Sequence, residues 1–296
     1  MRLDRTHVRI RERNVLEILD LTFQILRAYW RPFAILTVLG ALPFALINHW
    51  LTAWLLDNEV GGSDLPMSFM WHQTLLVFVE APLASLLLTT YLGHAVFDET
   101  PGLSKMVGDI LQGFGKILWA VMLLRGVALL VLVMVFATLD GGTWSPWRVI
   151  IVSFLITIVY LLRVFRPFVL ELIVLEQPRW KSGDPQHPSF GQRSGQIHNS
   201  AAGVLLGRGM LFTVVACTMG WMVFGGIYTV AGMFAHNWYP EGWMMTVVWS
   251  GSLWVVVGYM TVVRFLNYLD VRIRQEGWEV ELLIRAEAQK LSESQT

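Results

Sequence analysis

Residues 209–235 read GMLFTVVACTMGWMVFGGIYTVAGMFA, twenty-seven positions without a charged side chain or a proline. Wound as an α-helix at 1.5 Å per residue, such a run is roughly 40 Å long, more than a ~30 Å hydrocarbon layer requires. A soluble core is built instead from short apolar pieces broken by polar residues at a period of 2 or 3.6. The stretch therefore reads as a membrane span. Five more long apolar runs, nearly uncharged, lie at 33–56, 70–97, 117–138, 148–174 and 243–267, each long enough to cross a bilayer and some with tilt to spare. The whole chain of 296 residues agrees: 55% of it is apolar and only 15% charged, with a mean hydropathy of +0.53. The expected fold class is all-α, a polytopic membrane bundle of six transmembrane helices. The first long apolar run begins only near Phe33 and is too long for the core of a secretory signal, so it is expected to remain as a helix.

Basic residues set the orientation. Arg2, Arg5, Arg9, Arg11, Arg13, Arg27 and Arg31 precede the first span, whereas the loop after it carries Asp57, Glu59 and Asp64 and no lysine or arginine. The contrast repeats with Lys105 and Lys116 between spans two and three, with Arg179, Lys181, Arg193 and Arg208 between four and five, and with Arg264, Arg272, Arg274, Arg285 and Lys290 at the C-terminal end. The positive-inside rule then predicts both termini in the cytoplasm and, for a bacterial chain, residence in the inner membrane. Tryptophans 30, 50, 54, 71, 119, 144, 147, 238 and 243 cluster at span ends, where an amphipathic ring prefers the headgroup level.

The cytoplasmic segments read as interfacial amphipathic helices. In 15–31, Glu17, Asp20, Gln24, Arg27 and Arg31 form a polar stripe opposite Val15, Ile18, Leu19, Ile25 and Leu26. Segment 101–114 repeats the pattern behind Pro101, and 190–206 does so more weakly. Each precedes a basic residue and a span, which suggests three hairpin units at 15–98, 101–175 and 189–267. Residues 1–270 would form the six-helix domain. Residues 271–296 would form a cytoplasmic amphipathic helix and tail, with Asp270 to Arg274 and Glu281 to Arg285 as pairs at four-residue spacing and a bend near Gly277.

Ionisable residues inside spans are where a site would lie, because each costs about 2.5–3.5 kcal/mol at the bilayer centre on insertion scales. Glu80 in the second span and Arg125 in the third are expected to pair across adjacent helices; the alternative is a polar path for substrate or protons. Arg163, Arg166, Glu171 and Glu176 surround Pro167, whose missing N–H should kink the fourth span. They are read as headgroup anchors, with a cavity lining as the alternative. Cys217 is read as a small packed apolar residue, and one cysteine excludes an intrachain disulfide. The histidines lack metal-ligand spacing, Gly203 to Gly207 lies outside a span, and 250–252 lacks the order of a serine protease motif. No catalytic residue, metal or cofactor is predicted.

Val15-Leu16-Glu17-Ile18-Leu19-Asp20, Val174-Leu175-Glu176 followed by Gln192-Arg193-Ser194, and Tyr268-Leu269-Asp270-Val271-Arg272-Ile273-Arg274-Gln275-Glu276-Gly277-Trp278 resemble stretches of bacterial six-helix proteins of unknown function. Those proteins are similar to the membrane domain attached to some glycerophosphodiester phosphodiesterases. The resemblance implies a fold and no activity, because the catalytic barrel of such enzymes has no counterpart here. The expected function is that of a non-catalytic scaffold or membrane-embedded partner subunit. A transporter or permease for a small solute or lipid, using Glu80, Arg125, Arg163, Arg166 and Glu171, is the alternative, and an intramembrane enzyme comes third. Expected partners are the bilayer, anionic lipid headgroups at the cytoplasmic face, and a second protein or a second copy of the chain, with no nucleic acid.

Overall fold

The computed structural model describes residues 13–59, 65–96, 101–138, 146–178, 180, 189–199, 201–236, 238 and 242–276. All of the elements within them are helical. The order is α1 (Val15–Ala28), α2 (Trp30–Glu59), α3 (Met67–Ala84), α4 (Leu86–Ala95), α5 (Leu103–Leu123), α6 (Val127–Thr138), α7 (Pro146–Phe165), α8 (Val169–Glu171), α9 (Phe190–Asn199), α10 (Ala202–Ala235) and α11 (Ser250–Glu276). A π-helical turn, Leu172–Glu176, extends α8, and another, Met244–Trp249, leads into α11.

Five helical stretches are long and apolar enough to cross a membrane: Trp30–Leu55, Met67–Ala95, Leu103–Leu123, Ala202–Ala235 and Met244–Gln275. Val149–Phe165 and Val169–Glu176, bent by 51° at Arg166 to Phe168, make a sixth if taken as one broken span. Their composition explains the layering. The stretches α3–α4 and α11 are largely buried, while α2 and α10 turn most of their surface outward. Leu46, Ile47, Met222, Met233 and Phe234 on that outer surface are exposed although apolar, as suits lipid-facing helices that need no polar side. Trp50, Trp147 and Trp238 are exposed near helix ends.

Chain neighbours pack as pairs, α2 on α3, α6 on α7 and α10 on α11, and α11 further touches α1, α2, α3, α4 and α9. Close approach is bought with small residues: a Cβ on Gly40 of α2 would lie 2.1 Å from the Ala84 carbonyl oxygen of α3, so only glycine allows that crossing. The start of α1 is fastened to α11 by Asp270, which is fully buried. The Arg13 backbone N–H donates to its Oδ1 at 2.7 Å, and Arg208 of α10 and Arg274 donate to its Oδ2 at 2.8 and 3.0 Å. A lone carboxylate needs that many donors to be tolerated away from water.

Two elements depart from the reading of the sequence. Segment 101–114 is not a separate interfacial helix; it runs without a break at Gly115 or Lys116 into the first half of the third span as α5. The break falls instead at Leu124 to Gly126, where Gly126 takes φ +65, a backbone region that favours glycine. Likewise α10 begins at Ala202, well before the expected start at 209, and carries Arg208 inward to Asp270. The sixth span continues as α11 through Glu276, and the expected bend at Gly277 and the tail to Thr296 lie outside the described residues.

Candidate functional site

The interruptions in α3–α4, α5–α6 and α7–α8 leave backbone carbonyls without their helical donors, and buried arginines fill the vacancies. Pro82, inside α3, has no N–H to give the carbonyl four residues earlier, that of Phe78. Arg163 of α7 donates Nη1 to that carbonyl at 2.6 Å and sits over the Phe78 ring, 3.7 Å from its centroid. The same guanidinium donates Nε to the Arg125 carbonyl at 3.1 Å, in the break between α5 and α6. Arg125 in turn donates Nη2 to the Pro167 carbonyl at 2.5 Å, in the bend between α7 and α8. Each interruption is therefore closed by a side chain from another element.

Beside this chain lies an ion pair. Glu171, fully buried, accepts from Nε of Arg264 on α11, and Arg264 also donates to Ser85 Oγ at 3.2 Å and Thr89 Oγ1 at 3.5 Å. Ser85 marks the junction of α3 and α4. Of Arg125, Arg163 and Arg264, only Arg264 pairs with this carboxylate; the other two are bound to backbone carbonyls. Arg125 Nε, Arg163 Nη2 and Glu171 Oε2 are buried with no hydrogen-bond partner.

His198 of α9 stands against the same bend. Its Nδ1 lies 2.7 Å from the Ser194 carbonyl and so carries the proton, which leaves Nε2 to accept the Phe168 backbone N–H at 3.3 Å. Its ring stacks on Phe168 at 5.6 Å between centroids. Burial, with Arg166 and Arg125 adding to it, pushes the imidazole from its ordinary 6.5 down to about 4.

These contacts correct two expectations. Glu80 and Arg125 do not pair: Glu80 accepts from Asn48 Nδ2 at 2.7 Å, on the α2 side, while Arg125 faces Pro167. Asn48 begins a polar ladder between α2, α3 and α11, in which Thr52 reaches Gln73 at 3.4 Å and Gln73 reaches Ser250 at 2.8 Å. Arg163 and Glu171 are not headgroup anchors, because both are buried; Arg166 is exposed. Glu176 is held by Arg193 at 2.7 Å and by the Tyr268 hydroxyl at 2.5 Å. Neither Arg264 nor His198 stood out in the sequence, since Arg264 counted as one of several basic residues at a helix end and His198 as a polar residue of a loop.

The charged side chains of the cluster do not line a further cavity in the bundle. That space, about 590 Å³, lies between α3, α7, α10 and α11 and is walled by Trp71, Phe78, Tyr160, Cys217, Trp221 and Trp249 among others. Several wall residues, including Met67, Trp221 and Cys217, are exposed, so it opens on the bundle surface, and Cys217 is not packed inside as expected. A Tyr160–Thr213 hydroxyl contact at 3.2 Å is its main polar feature. A second space, about 290 Å³, is polar and lies where α4, α5, α11 and the Leu172–Glu176 turn meet. Among the described residues no three His, Cys, Asp or Glu side chains gather as a metal site. No family model matches the chain, and no curated protein or solved structure matches it.

Proposed function

We propose that the chain is a six-span protein of a bacterial inner membrane, with both termini in the cytoplasm, that serves without catalysis as a scaffold or membrane-embedded partner subunit. The observation that carries this reading is the use made of the intramembrane charges: Arg125 and Arg163 stitch helix breaks together, and Glu171 is held by Arg264. Groups committed in this way stabilise one arrangement of the helices. The proposal includes a protein partner or a second copy of the chain, anionic headgroups along the cytoplasmic face, and the kinship with the membrane domain of glycerophosphodiester phosphodiesterases, in which a membrane part serves an activity housed elsewhere.

The cavity of about 590 Å³ supports a second reading, a carrier of lipid or another apolar molecule. Its apolar wall excludes Glu80, Arg125, Arg163, Arg166 and Glu171, so of the small solute or lipid expected for a transporter it favours the lipid, by a path other than those residues. The two readings separate by experiment. Native mass spectrometry on gently solubilised membranes should find the chain with a stoichiometric protein partner or a second copy. A solitary chain that moves a fluorescent lipid across vesicle bilayers, and stops doing so when Ala216→Trp fills the cavity, would overturn the scaffold in favour of the carrier.

A further inference from the structure

The polar space at the junction of α4, α5 and α11 is lined by His94, Lys105, Asp109, Gln177, Tyr268 and Arg272. An apolar crevice formed by Ile25, Leu26, Phe33, Tyr91, Leu92 and Phe265, with others from α4 and α11, adjoins it, and Val96 and Phe265 line both. The two overlap along the helices. On α4 the crevice uses residues between 88 and 96 and the polar space 93–96; on α11 the crevice uses 262–266 and the polar space 265–272. The polar space therefore reaches further toward the end of α11, and the apolar crevice further back along both helices.

We propose that this composite site holds one anionic phospholipid, its phosphate beside Lys105 and Arg272 and an acyl chain in the crevice. Charge supports the assignment. Among the described residues that line the space, Lys105 and Arg272 are the cations and Asp109, 3.3 Å from His94, is the carboxylate; Arg272 also lies 3.5 Å from Glu176. An arginine presents a fork and a lysine a point charge, a combination that suits phosphate oxygens. Gln177, at φ 46, ends the π-helical turn at the rim and brings an amide to the same space. The site rests on the headgroup contact included in the proposed function and stands whether or not a protein partner exists.

The test uses the full chain in a neutral detergent, titrated with phosphatidylglycerol or phosphatidylcholine of matched chains and followed by native mass spectrometry. Phosphatidylglycerol should be retained preferentially. Lys105→Glu, at an exposed position, should weaken that retention by about fivefold or more, as expected for loss of one interfacial cation. Asp109→Asn should strengthen it by a similar factor, a gain that misfolding cannot mimic. Ala95→Trp, in the crevice wall, should weaken retention of both lipids. Equal retention of the two lipids overturns the proposal, as does an equal loss from the exposed Arg31→Glu, which would mark general surface charge. Displacement by inorganic phosphate at the lipid's own concentration would reassign the site to the free anion.

Discussion

A charge inside a membrane span is conspicuous in sequence because it is costly, and Arg125, Arg163, Glu80 and Glu171 stood out for that reason. Their partners did not, since two of the arginines bind backbone carbonyls, which every residue has and no sequence marks. The Arg163 bond to the Phe78 carbonyl exists because Pro82 withholds its own N–H, and that dependence can be measured. Arg163→Met should lower stability by about 1–3 kcal/mol in thermal unfolding in detergent. In a Pro82→Ala background, where residue 82 can again donate to Phe78, the loss should be smaller; equal losses would refute the coupling. Glu171→Gln strips the carboxylate from its buried pair with Arg264 and should cost about 3 kcal/mol or more, whereas Glu171→Leu with Arg264→Met should cost less than the single change. His198 gives a pH dependence. Folded His198 resists protonation down to about 4 and the unfolded group only to 6.5, so between those values the unfolded chain binds more protons and stability falls as pH falls. The loss amounts to about 3 kcal/mol across the window, complete near pH 4. His198→Phe should flatten that part of the melting profile.

Spans were legible as elements because run length alone separates membrane from soluble helices. Helix interruptions were legible only where a residue type forces them. Pro167 announced the bend that the structure shows at 51°, but Pro82 passes through α3 with its cost met by Arg163. Gly126 is the opposite case. Nothing distinguishes it in sequence from Gly113 or Gly115, which sit inside α5, yet it alone of these takes a positive φ and has Val159 side-chain atoms 3.1 Å from where a Cβ would stand. Tertiary crowding chose the breakpoint. Gly126→Ala should therefore destabilise by about 1–2 kcal/mol, while Gly115→Ala, with open space around it in mid-helix, should be neutral or stabilising. A Gly115→Ala variant as unstable as Gly126→Ala would show that the interruption is not set at residue 126. The amphipathic pattern of 101–114 was real, but an apolar stripe does not say whether a helix lies along the interface or enters the bundle with that stripe inward. On α5 Met106 is buried while Leu103, Val107, Leu111 and Phe114 are exposed, so most of that stripe faces out of the bundle even though the helix runs on into the span.

At the scale of the whole molecule, the distribution of lysine and arginine implied a topology that labelling can test. With Cys217 replaced by serine, cysteines introduced at Asp57 and at His236 should react with an impermeant maleimide on intact cells, and one at Lys105 only after permeabilisation; the reverse would invert the proposed orientation. The packing of α11 against α1, α2, α3, α4 and α9 could not be read from the chain, because each of its contacts joins residues far apart in sequence and a lipid-compatible helix is apolar on every side. The arginine stitches carry a consequence for biogenesis. Helices leave the ribosome in order, and the second and third spans enter the bilayer before Arg163 has been synthesised. Until then the Phe78 carbonyl lacks its donor, and so does the Arg125 carbonyl at the α5–α6 break. A nascent chain halted near residue 145 should be a poor tenant of the membrane, prone to retention beside the insertion machinery and to proteolysis. One halted after 180, with α7 and α8 delivered, should settle, so assembly would be gated at the fourth span.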